Sequence, residues 1–591
     1  MGSMTEVEAV TRPPSSLRAL TGGEVVTKLL SSLGVRYVFG VPGGQTLAIN
    51  DAIRAEPGLE FVTVRHEGAA AVMADAYGRL TRTPGVCLAT TGPGATNLLT
   101  GVGGALRDSS PMLVLTCNNN SVDLGKDDAQ NADHVALFSS LTKSSRLVVS
   151  PAAIPQAIEE SYLLAISGNP GPAHIDFSRD AIEGELEFSP PPAPHPLLRW
   201  ARQRPRADFD LTQEAFGRIV AARHPVLWLG SGVSRSEAGP AALALAEAMS
   251  IPVVTTFNGI DTVPMTHPLV FGVQSRMGTA LSSRVLAEAD LVVAIGNGLN
   301  AISTGRWRLQ LPEVIQINID PLTLGRYYSA STLGLVGDAR SVLDDLLEIW
   351  RDRERVDVDH STSQVPSERS GWIAALQAAR ELWWAETNPG GGEQPAGAGL
   401  SPPDVIRALR GAAPDDTLLI ADAGNVGVWS YCWQTRGFGG YLKPVGFGNM
   451  GFALPAAIAA TLVDNDRPIL ALVGDGSLGM TMAELETLGR IGGPVCVVVL
   501  NDSGYGNIRQ EQEMKYAGRT TGVDYSDTDY ATVAAALGVH AERVGDLATL
   551  AERAGEALGT SRVPLLLDVP IDRGVNAWTF PLFLPHDAEE G

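Results

Sequence analysis

The chain has 591 residues, of which 45% are hydrophobic and 19% are charged, and its formal net charge is −22. This length exceeds what one hydrophobic core supports, so several domains are expected. The negative charge argues against nucleic acid as a partner, and no apolar run reaches the length of about 18 residues that would predict a membrane span.

Short apolar segments alternate with helical patterns along the whole chain. In chain order they include YVFGVPG (37–43), GVCLATTGPG (85–94), PMLVLTC (111–117), PVLWLG (225–230), LVVAIGNG (291–298), PILALVGDG (468–476) and PVCVVVLND (494–502). These segments are apolar on both faces and bounded by Gly or Pro, which is typical of buried parallel strands. The pattern predicts an α/β fold with three doubly wound parallel-sheet domains.

Three loose segments divide the chain: a proline-rich one at 189–208, a polar one at 354–370, and a Gly- and Pro-rich one at 388–403. We therefore predict a disordered tail at 1–19 and domains at 20–188, 209–352 and 400–580. The first and third blocks share the order strand, glycine turn, helix, proline and strand. They are interpreted as distant copies of one unit, although any two nucleotide-binding-type units share some of this pattern.

The segment GDGS (474–477) follows one apolar strand and opens a helix. Its glycines permit a tight turn, and the free N–H groups at a helix start suit a phosphate. Asp475 offers a hard oxygen for Mg²⁺, and Asp502 follows the next strand, whose end converges on the same crevice in a doubly wound sheet. Gly504 then allows a carbonyl to turn inward. The alternative is an acidic loop with ordinary turn glycines.

The third block resembles the diphosphate-binding domain of thiamine diphosphate (ThDP) enzymes, in which GDG is followed one strand later by an Asn-Asn pair. Here Asp502 stands at the second position of that pair. The turn ADAGN (421–425) and the segment GFGNMGFALP (446–455) resemble two further parts of the domain, the second of which contributes a wedge beneath the cofactor. The resemblance implies cofactor contacts from Gly424, Asn425, Gly448, Met450 (the wedge), Gly474, Gly476, Ser477, Tyr505, Gly506 and Asn507. It implies metal ligation by Asp475, Asp502 and Gly504.

The first block resembles the pyrimidine-binding domain of the same enzymes. The segment VRHEGAAAVMADAYGRLT (64–81) contains the glutamate that this family places against N1′ of the aminopyrimidine, which is Glu67 here. The resemblance also implies cofactor contacts from Pro42, Pro93 and Asn97, and a catalytic role for Gln130 beside Glu67. The family builds each active site from two chains, which implies a homodimer or homotetramer with active sites at the subunit interface.

The resemblance implies ThDP-dependent decarboxylation of a 2-oxo acid, with release of product, or carboligation, from the enamine. The chain is most similar to the acetolactate synthase-like branch but departs from it at three positions. Ala129 replaces a phenylalanine while Gln130 is retained, Asn297 replaces an arginine, and Glu511 replaces a tryptophan. The lost arginine and the added carboxylate disfavour a second anionic 2-oxo acid as acceptor. We expect Ala129, Gln130 and Glu511 to line the substrate pocket.

Several alternatives stay open. They include an acetolactate synthase catalytic subunit, or a catalytically inactive protein with the ThDP fold. A nicotinamide oxidoreductase is disfavoured because no G-x-G-x-x-G follows the first strand. FAD is also open, since the stretch 266–279 is only weakly similar to the corresponding region of acetolactate synthases. The expected partners are a 2-oxo acid and an aldehyde or ketone acceptor, without nucleic acid or membrane. Four scattered cysteines and the absence of a signal-peptide pattern predict a cytoplasmic protein.

Overall fold

The computed structural model describes residues 17–201, 203–276, 278–356, 368–387, 399–559 and 561–580. These residues form three domains, each with a parallel sheet of six strands flanked by helices. The α/β prediction is therefore confirmed. Nearly all of the predicted tail at 1–19 lies outside the described residues, and the first strand begins at Arg18. None of the helices described is long and apolar enough to cross a membrane.

The N-terminal domain contains eight strands and eight helices in its described part. Its strands are β1 (Arg18–Thr21), β2 (Tyr37–Gly40), β3 (Glu60–Thr63), β4 (Gly85–Ala89), β5 (Met112–Asn118), β6 (Ser144–Val148), β7 (Pro172–Ser178) and β8 (Glu185–Phe188). Its helices are α1 (Gly22–Ser32), α2 (Leu47–Ala55), α3 (Glu67–Thr81), α4 (Pro93–Asn97), α5 (Leu99–Arg107), α6 (His134–Ser139), α7 (Ile154–Ile166) and α8 (Arg179–Glu183). The sheet order is β3-β2-β4-β5-β7-β6, and β1 pairs with β8 in a separate antiparallel ribbon.

A short helix, α9 (Leu198–Ala201), lies in the linker before the central domain. The central strands are β9 (Pro225–Leu229), β10 (Val253–Thr255), β11 (Val270–Val273), β12 (Leu291–Ile295), β13 (Glu313–Asn318) and β14 (Thr332–Val336). The helices are α10 (Phe209–Ala221), α11 (Ser231–Arg235), α12 (Gly239–Met249), α13 (Ala280–Ala287), α14 (Ala339–Val356) and α15 (Glu368–Thr387). The sheet order is β11-β10-β9-β12-β13-β14, so the order in which the chain adds strands to the sheet reverses between β9 and β12.

The central domain extends beyond the predicted boundary at residue 352. Helix α15 returns to this domain, where the buried Arg369 guanidinium donates to the carbonyl oxygens of Ala222 (2.6 Å) and Met249 (2.9 Å). The Trp372 indole N–H donates to Glu288 (2.7 Å). These contacts make α15 part of the central unit, and a polar composition between residues 354 and 370 did not reveal them.

The C-terminal domain repeats the strand order of the N-terminal domain. Its strands are β15 (Leu418–Ala421), β16 (Tyr441–Leu442), β17 (Ile469–Gly474), β18 (Val495–Asn501), β19 (His540–Arg543) and β20 (Leu565–Pro570). Its helices are α16 (Pro402–Ala412), α17 (Asn425–Trp429), α18 (Ala453–Val463), α19 (Asp475–Thr481), α20 (Glu484–Ile491), α21 (Gly506–Lys515), α22 (Tyr530–Ala536) and α23 (Leu547–Gly559). The order β16-β15-β17-β18-β20-β19 matches that of the first sheet strand for strand, which supports the interpretation as copies.

The two end domains share one hydrophobic core, in which the alanine-rich helix α3 packs against α18. Asp108 joins all three domains at the edge of this contact. Its carboxylate accepts from the backbone N–H groups of Val445 (3.1 Å) and Gly446 (2.8 Å) and from the side chain of Asn258 (2.9 Å). The cofactor loops predicted at the two ends of the sequence are thus parts of one packed body.

Candidate active site

Glu67 is the first residue of α3, and its carboxylate is held in place by Asn97 at the end of α4. The Asn97 side-chain amide donates to Glu67 Oε2 at 2.9 Å. The chain entering α3 is fixed by Glu484 of the C-terminal domain, whose Oε1 accepts from the backbone N–H groups of Arg65 (2.9 Å) and His66 (3.0 Å). Both predicted partners, Glu67 and Asn97, are therefore brought together, half-buried, at the carboxyl edge of the first sheet.

The predicted residues Pro42, Ala129 and Gln130 lie on loops at the same edge, and Pro93 is the first residue of α4 there. A Cβ on Gly43, next to Pro42, would lie 2.4 Å from the Thr90 side chain, so this loop packs directly against the turn before Pro93. Gln130 adopts a left-handed backbone conformation (φ 59°). The structure thus places the candidate substrate residues beside the turn that leads to Asn97.

In the C-terminal domain, the turn after β15 and the loop after β18 meet beside β17. The Asn507 side chain donates to Asn425 Oδ1 (2.8 Å), and Asn425 donates to Gln510 Oε1 (3.0 Å). Gly424, at φ 89°, precedes the start of α17. The strand order reverses between β15 and β17, and ligands of open α/β sheets bind at such a point.

The segment that carries Met450 is clamped by Asp422, which is fully buried. The Asp422 carboxylate accepts from the backbone N–H groups of Gly451 (3.0 Å) and Ala453 (2.9 Å). Burial raises the pKa of this carboxyl above its ordinary value, and the three backbone donors around it act in the opposite direction. Gly448 and Gly451, both with positive φ, flank Met450 and turn the half-buried side chain at the head of α18.

Asp475 is the first residue of α19, and it faces Gly504 in the loop after β18. Its carboxylate accepts from Gly476 N–H (2.8 Å) and Gly504 N–H (3.3 Å). The Tyr525 hydroxyl donates to the Gly504 carbonyl oxygen (3.3 Å). Burial, and then the neighbouring charge of Asp502, raise the pKa of Asp475 to about 7. Two carboxylates and a carbonyl oxygen therefore converge at the end of β17 and β18.

Asp502 forms a buried ion pair with Arg509 of α21, and sequence reasoning missed this partner. Arg509 also approaches Asp524 Oδ1 (3.3 Å). Burial raises the pKa of Asp502, whereas the Arg509 charge lowers it. A Cβ on Gly506 would lie 2.4 Å from Asp502 Oδ2, so a larger residue there would have to displace this carboxylate. The extra negative charge that distinguishes Asp502 from an asparagine is thus offset within the protein.

These residues fit Mg²⁺ bound with a diphosphate. Two carboxylates and a carbonyl are the oxygen donors that Mg²⁺ shares with substrate phosphates. No group of three or more His, Cys, Asp or Glu side chains in the described part of the chain forms a closed metal cage. Around the crevice, a Cβ built on Gly424, Gly448 or Gly474 would meet no atom within 4 Å, so the backbone there is open to a ligand.

Some predicted residues are engaged elsewhere. The buried Ser477 side chain is hydrogen-bonded to Asp422, so its hydroxyl group stabilises the turn beneath the crevice. Glu511, expected in the substrate pocket, is paired with Lys515 one helical turn later (2.8 Å), which partly neutralises its carboxylate. Asn297 is buried and lines a cavity in the central domain.

That cavity has a volume of about 670 Å³ and lies at the carboxyl ends of β9 and β12, where the central strand order reverses. Its wall includes the glycine-rich turn 230–232 and several arginines from both adjoining domains: Arg82, Arg107, Arg204, Arg235 and Arg326. The position and the positive charge suit an anionic nucleotide. In the sequence, this glycine-rich turn alone is weak evidence for a nucleotide site.

Comparison with known proteins agrees with this geometry. Three family models match: "Thiamine pyrophosphate enzyme, N-terminal TPP binding domain" at 20–137, "central domain" at 212–346, and "C-terminal TPP binding domain" at 422–569. The chain is 34% identical over 543 residues to acetolactate synthase of Mycobacterium bovis, covering 91% of this chain and 83% of the relative. It is 32% identical to the acetolactate synthase large subunit of Corynebacterium glutamicum (95% and 88% covered). It is 31% identical to the probable acetolactate synthase large subunit of Methanocaldococcus jannaschii (94% and 92% covered).

Each end domain thus carries one half of the expected site, with Glu67 in the first domain and the loop of Asp475 and Asp502 in the third. The matched models together span more than half of the chain, in the order in which the structure arranges the domains. The chain belongs to the thiamine pyrophosphate enzyme family.

Proposed function

We propose that this enzyme decarboxylates a 2-oxo acid with the help of ThDP and Mg²⁺ and then either protonates the product or joins it to an aldehyde or ketone. The observation that carries the proposal is the Glu67 carboxylate, fixed by Asn97 at the start of α3. The metal loop with Asp475 and Asp502 supplies the second half of the same site. The relatives named acetolactate synthase support a carbon–carbon bond-forming outcome.

ThDP, when bound, would supply a carbanion that adds to the substrate carbonyl, and the cofactor would then accept the electron pair that remains when CO₂ leaves. The chain's own residues bind and orient the reactants. Glu67 Oε2 accepts from Asn97, which leaves Oε1 as the oxygen that would exchange a proton with the pyrimidine ring. Met450 would support the cofactor, and the carboxylates of Asp475 and Asp502 with the Gly504 carbonyl would hold the metal.

The substrate class is tested by offering a panel of 2-oxo acids and measuring CO₂, with and without an aldehyde acceptor. We expect CO₂ release from at least one 2-oxo acid and a ligated product when a suitable acceptor is present. Formation of acetolactate from pyruvate would assign the acetolactate synthase alternative. Calorimetry with ThDP and Mg²⁺ distinguishes both of these enzymes from an inactive protein with this fold, because absence of binding would exclude either enzymatic function.

The exposed apolar side chains around the crevice support the binding of a second copy of the chain there. Five large apolar side chains next to the cofactor loops are 37–55% exposed in the single chain: Phe447, Met480, Met482, Tyr505 and Ile508. Covering such a patch is a common role of subunit interfaces. We infer a homodimer or homotetramer in which the partner covers this surface, and sedimentation of the purified protein tests it.

The central cavity raises the question of FAD. Its location and its arginines support a nucleotide ligand, FAD being the one suggested by the resemblance. A yellow purified protein with flavin absorbance would assign FAD, and a colourless one would leave the cavity to another anionic ligand. The four free cysteines, three of them buried, support the expected cytoplasmic location.

A further inference from the structure

A buried polar network lies behind the active-site turn and is not used by the mechanism above. Its side chains are between 0% and 3% exposed: Thr116, Asn118, His134, His174 and Asp176. All of them are on β5, β7 or the start of α6. Polar groups this deeply buried are retained only when their hydrogen bonds are satisfied, so the arrangement of donors and acceptors can be followed atom by atom.

The first histidine has a defined proton position. The backbone N–H of Gly92 donates to His134 Nε2 (3.1 Å), so that nitrogen carries no proton. His134 Nδ1 must therefore hold the proton, which it donates to Asp176 Oδ1 (2.8 Å). The other Asp176 oxygen accepts from the Asn118 amide (2.8 Å). His134 is thus an uncharged imidazole, because a second proton would face the Gly92 N–H group.

The second histidine has the opposite tautomer. The Thr116 hydroxyl donates to the Asp176 carboxylate (2.6 Å) and can then only accept from His174 Nε2 (2.8 Å). His174 Nδ1 lies 2.8 Å from the Ser145 hydroxyl oxygen, and that hydroxyl also lies 3.0 Å from the Val135 carbonyl oxygen. Burial lowers the pKa of His174 to about 3, in agreement with a neutral ring. The network therefore fixes the Asp176 carboxylate that orients His134.

Gly92, the residue that His134 holds, is the centre of the active-site turn. It has a φ of 61°, and a Cβ there would lie 2.5 Å from the Gln130 carbonyl oxygen. The Thr91 hydroxyl donates to that same oxygen (3.1 Å). Since Gln130 itself is left-handed, its conformation costs free energy and persists only where its surroundings impose it.

The same turn also leads to Glu67. Helix α4 starts directly after Gly92 and ends at Asn97, which binds the Glu67 carboxylate. A Cβ on Gly94 would lie 3.3 Å from Glu67 Oε1, so the helix passes close to this group. A displacement of Gly92 would therefore move Gln130 and the Asn97–Glu67 pair relative to each other.

We propose that His134 is a positioning residue whose neutral, Nδ1-protonated ring holds the Gly92 turn and so sets the separation between Gln130 and Glu67. This inference rests on the proposed function, because Gln130 and Glu67 act together only in that reaction. It assigns a role to a histidine that touches neither substrate nor cofactor. The chemical requirement is one acceptor for the Gly92 N–H and one donor to Asp176.

The test combines substitutions with a direct measurement of the histidine tautomers. His134→Leu removes the acceptor and the donor, and His134→Gln keeps an amide oxygen and an N–H group. His195→Gln is the matched control, since the linker residue His195 is also buried but pairs with Glu159 of α7. ThDP dissociation constants, kcat and KM are measured for each variant with the 2-oxo acid that the wild type turns over best. ¹⁵N-histidine spectra of the wild type report the tautomers.

We expect His134→Leu to bind ThDP within about threefold of wild type but to lose about 100-fold in kcat, the loss that a small misplacement of reacting groups causes. His134→Gln should recover much of that loss, and the His195→Gln control should match wild type. The spectra should contain a signal of a neutral histidine protonated at Nδ1 that is lost in both His134 variants, whereas the Nδ1-protonated signal of His224, which faces the Glu288 carbonyl oxygen at 3.1 Å, should remain. Wild-type kcat in His134→Leu, or a His134 signal protonated at Nε2, would overturn the proposal.

Two further outcomes are distinguishable. If His134→Leu does not fold, the glutamine variant and the wild-type spectra decide the question. If the wild type itself binds no ThDP or releases no CO₂, the proposed function fails, and with it the positioning role, even where the tautomers are as expected.

Discussion

The ion pair between Asp502 and Arg509 predicts how the protein responds when either charge is removed. The two side chains are 12% and 6% exposed. Removing one partner of a buried pair costs about 3–5 kcal/mol when nothing else compensates the charge that remains. After Asp502→Asn, Arg509 still has Asp524 at 3.3 Å, and that carboxylate is half exposed. We therefore expect a loss of about 2 kcal/mol in the free energy of unfolding, below the full cost of an isolated charge.

Arg509→Gln should behave differently, because it leaves two buried carboxylates, Asp475 and Asp502, facing each other. Without metal we expect it to destabilise the protein by about 3 kcal/mol. With metal, Mg²⁺ should bind more tightly and the diphosphate of ThDP more weakly, since the site has gained negative charge. Asp502→Asn should have the reverse effect on Mg²⁺ and should keep most of its turnover at saturating Mg²⁺, because an amide oxygen remains as ligand.

The assay is a double-mutant cycle with Asp502→Asn, Arg509→Gln and both together. Urea unfolding gives the stability of each variant, and calorimetry with Mg²⁺ and ThDP gives the affinities. The double variant should recover part of the loss, with a coupling of about 1–3 kcal/mol between the two sites. Additive effects within about 0.5 kcal/mol would refute the compensation. So would complete loss of ThDP binding in Asp502→Asn at saturating Mg²⁺.

Three further results are expected. Glu67→Gln should keep its affinity for ThDP and lose about 100-fold or more in turnover, as removal of a general acid–base group does, and near wild-type turnover would contradict its role. Asp422→Ala leaves buried N–H groups without an acceptor and should cost about 2–4 kcal/mol in thermal or urea unfolding, whereas the exposed control Asp466→Ala should change little; equal losses would contradict the clamp. His174 stays neutral in the folded protein, with a pKa lowered to about 3, while the unfolded chain protonates it near pH 6.5. Stability should therefore fall as the pH decreases below about 6.5, by about 2 kcal/mol between pH 8 and pH 5, and His174→Phe should flatten this slope; an unchanged slope would refute the assignment.

Features written into local sequence were predictable. The buried strands read as continuous apolar runs, and the shared order of the first and third blocks was visible as a repeated pattern before the identical sheet topologies confirmed it. Glu67 and Asn97 lie on adjoining elements of one domain, so their contact follows from the fold class. The loop after β18 could be predicted only through the resemblance to the ThDP family, because glycine and aspartate at a strand end also fit an ordinary acidic turn.

Pairings across domains or across a loop left no such pattern. Glu484 supports the chain before Glu67 from more than 400 residues away, and nothing in a helix-start glutamate indicates that. Arg509 lies about one helical turn into α21, where an arginine usually faces solvent. Asn297 appeared to be a substrate residue because its sequence position was compared and its surroundings were unknown. In each case the missing information was a long-range contact.

The common core of α3 and α18 has a consequence for how the chain is made. Domains fold as they leave the ribosome, N-terminal first. The face of α3 that packs against α18 is covered by a helix from the last third of the chain, so it stays exposed while the central domain, which has its own core, is already complete. During that interval the nascent N-terminal domain exposes an apolar surface of the kind that chaperones bind. Expressed alone, it should aggregate, and co-expression with the C-terminal domain should rescue it.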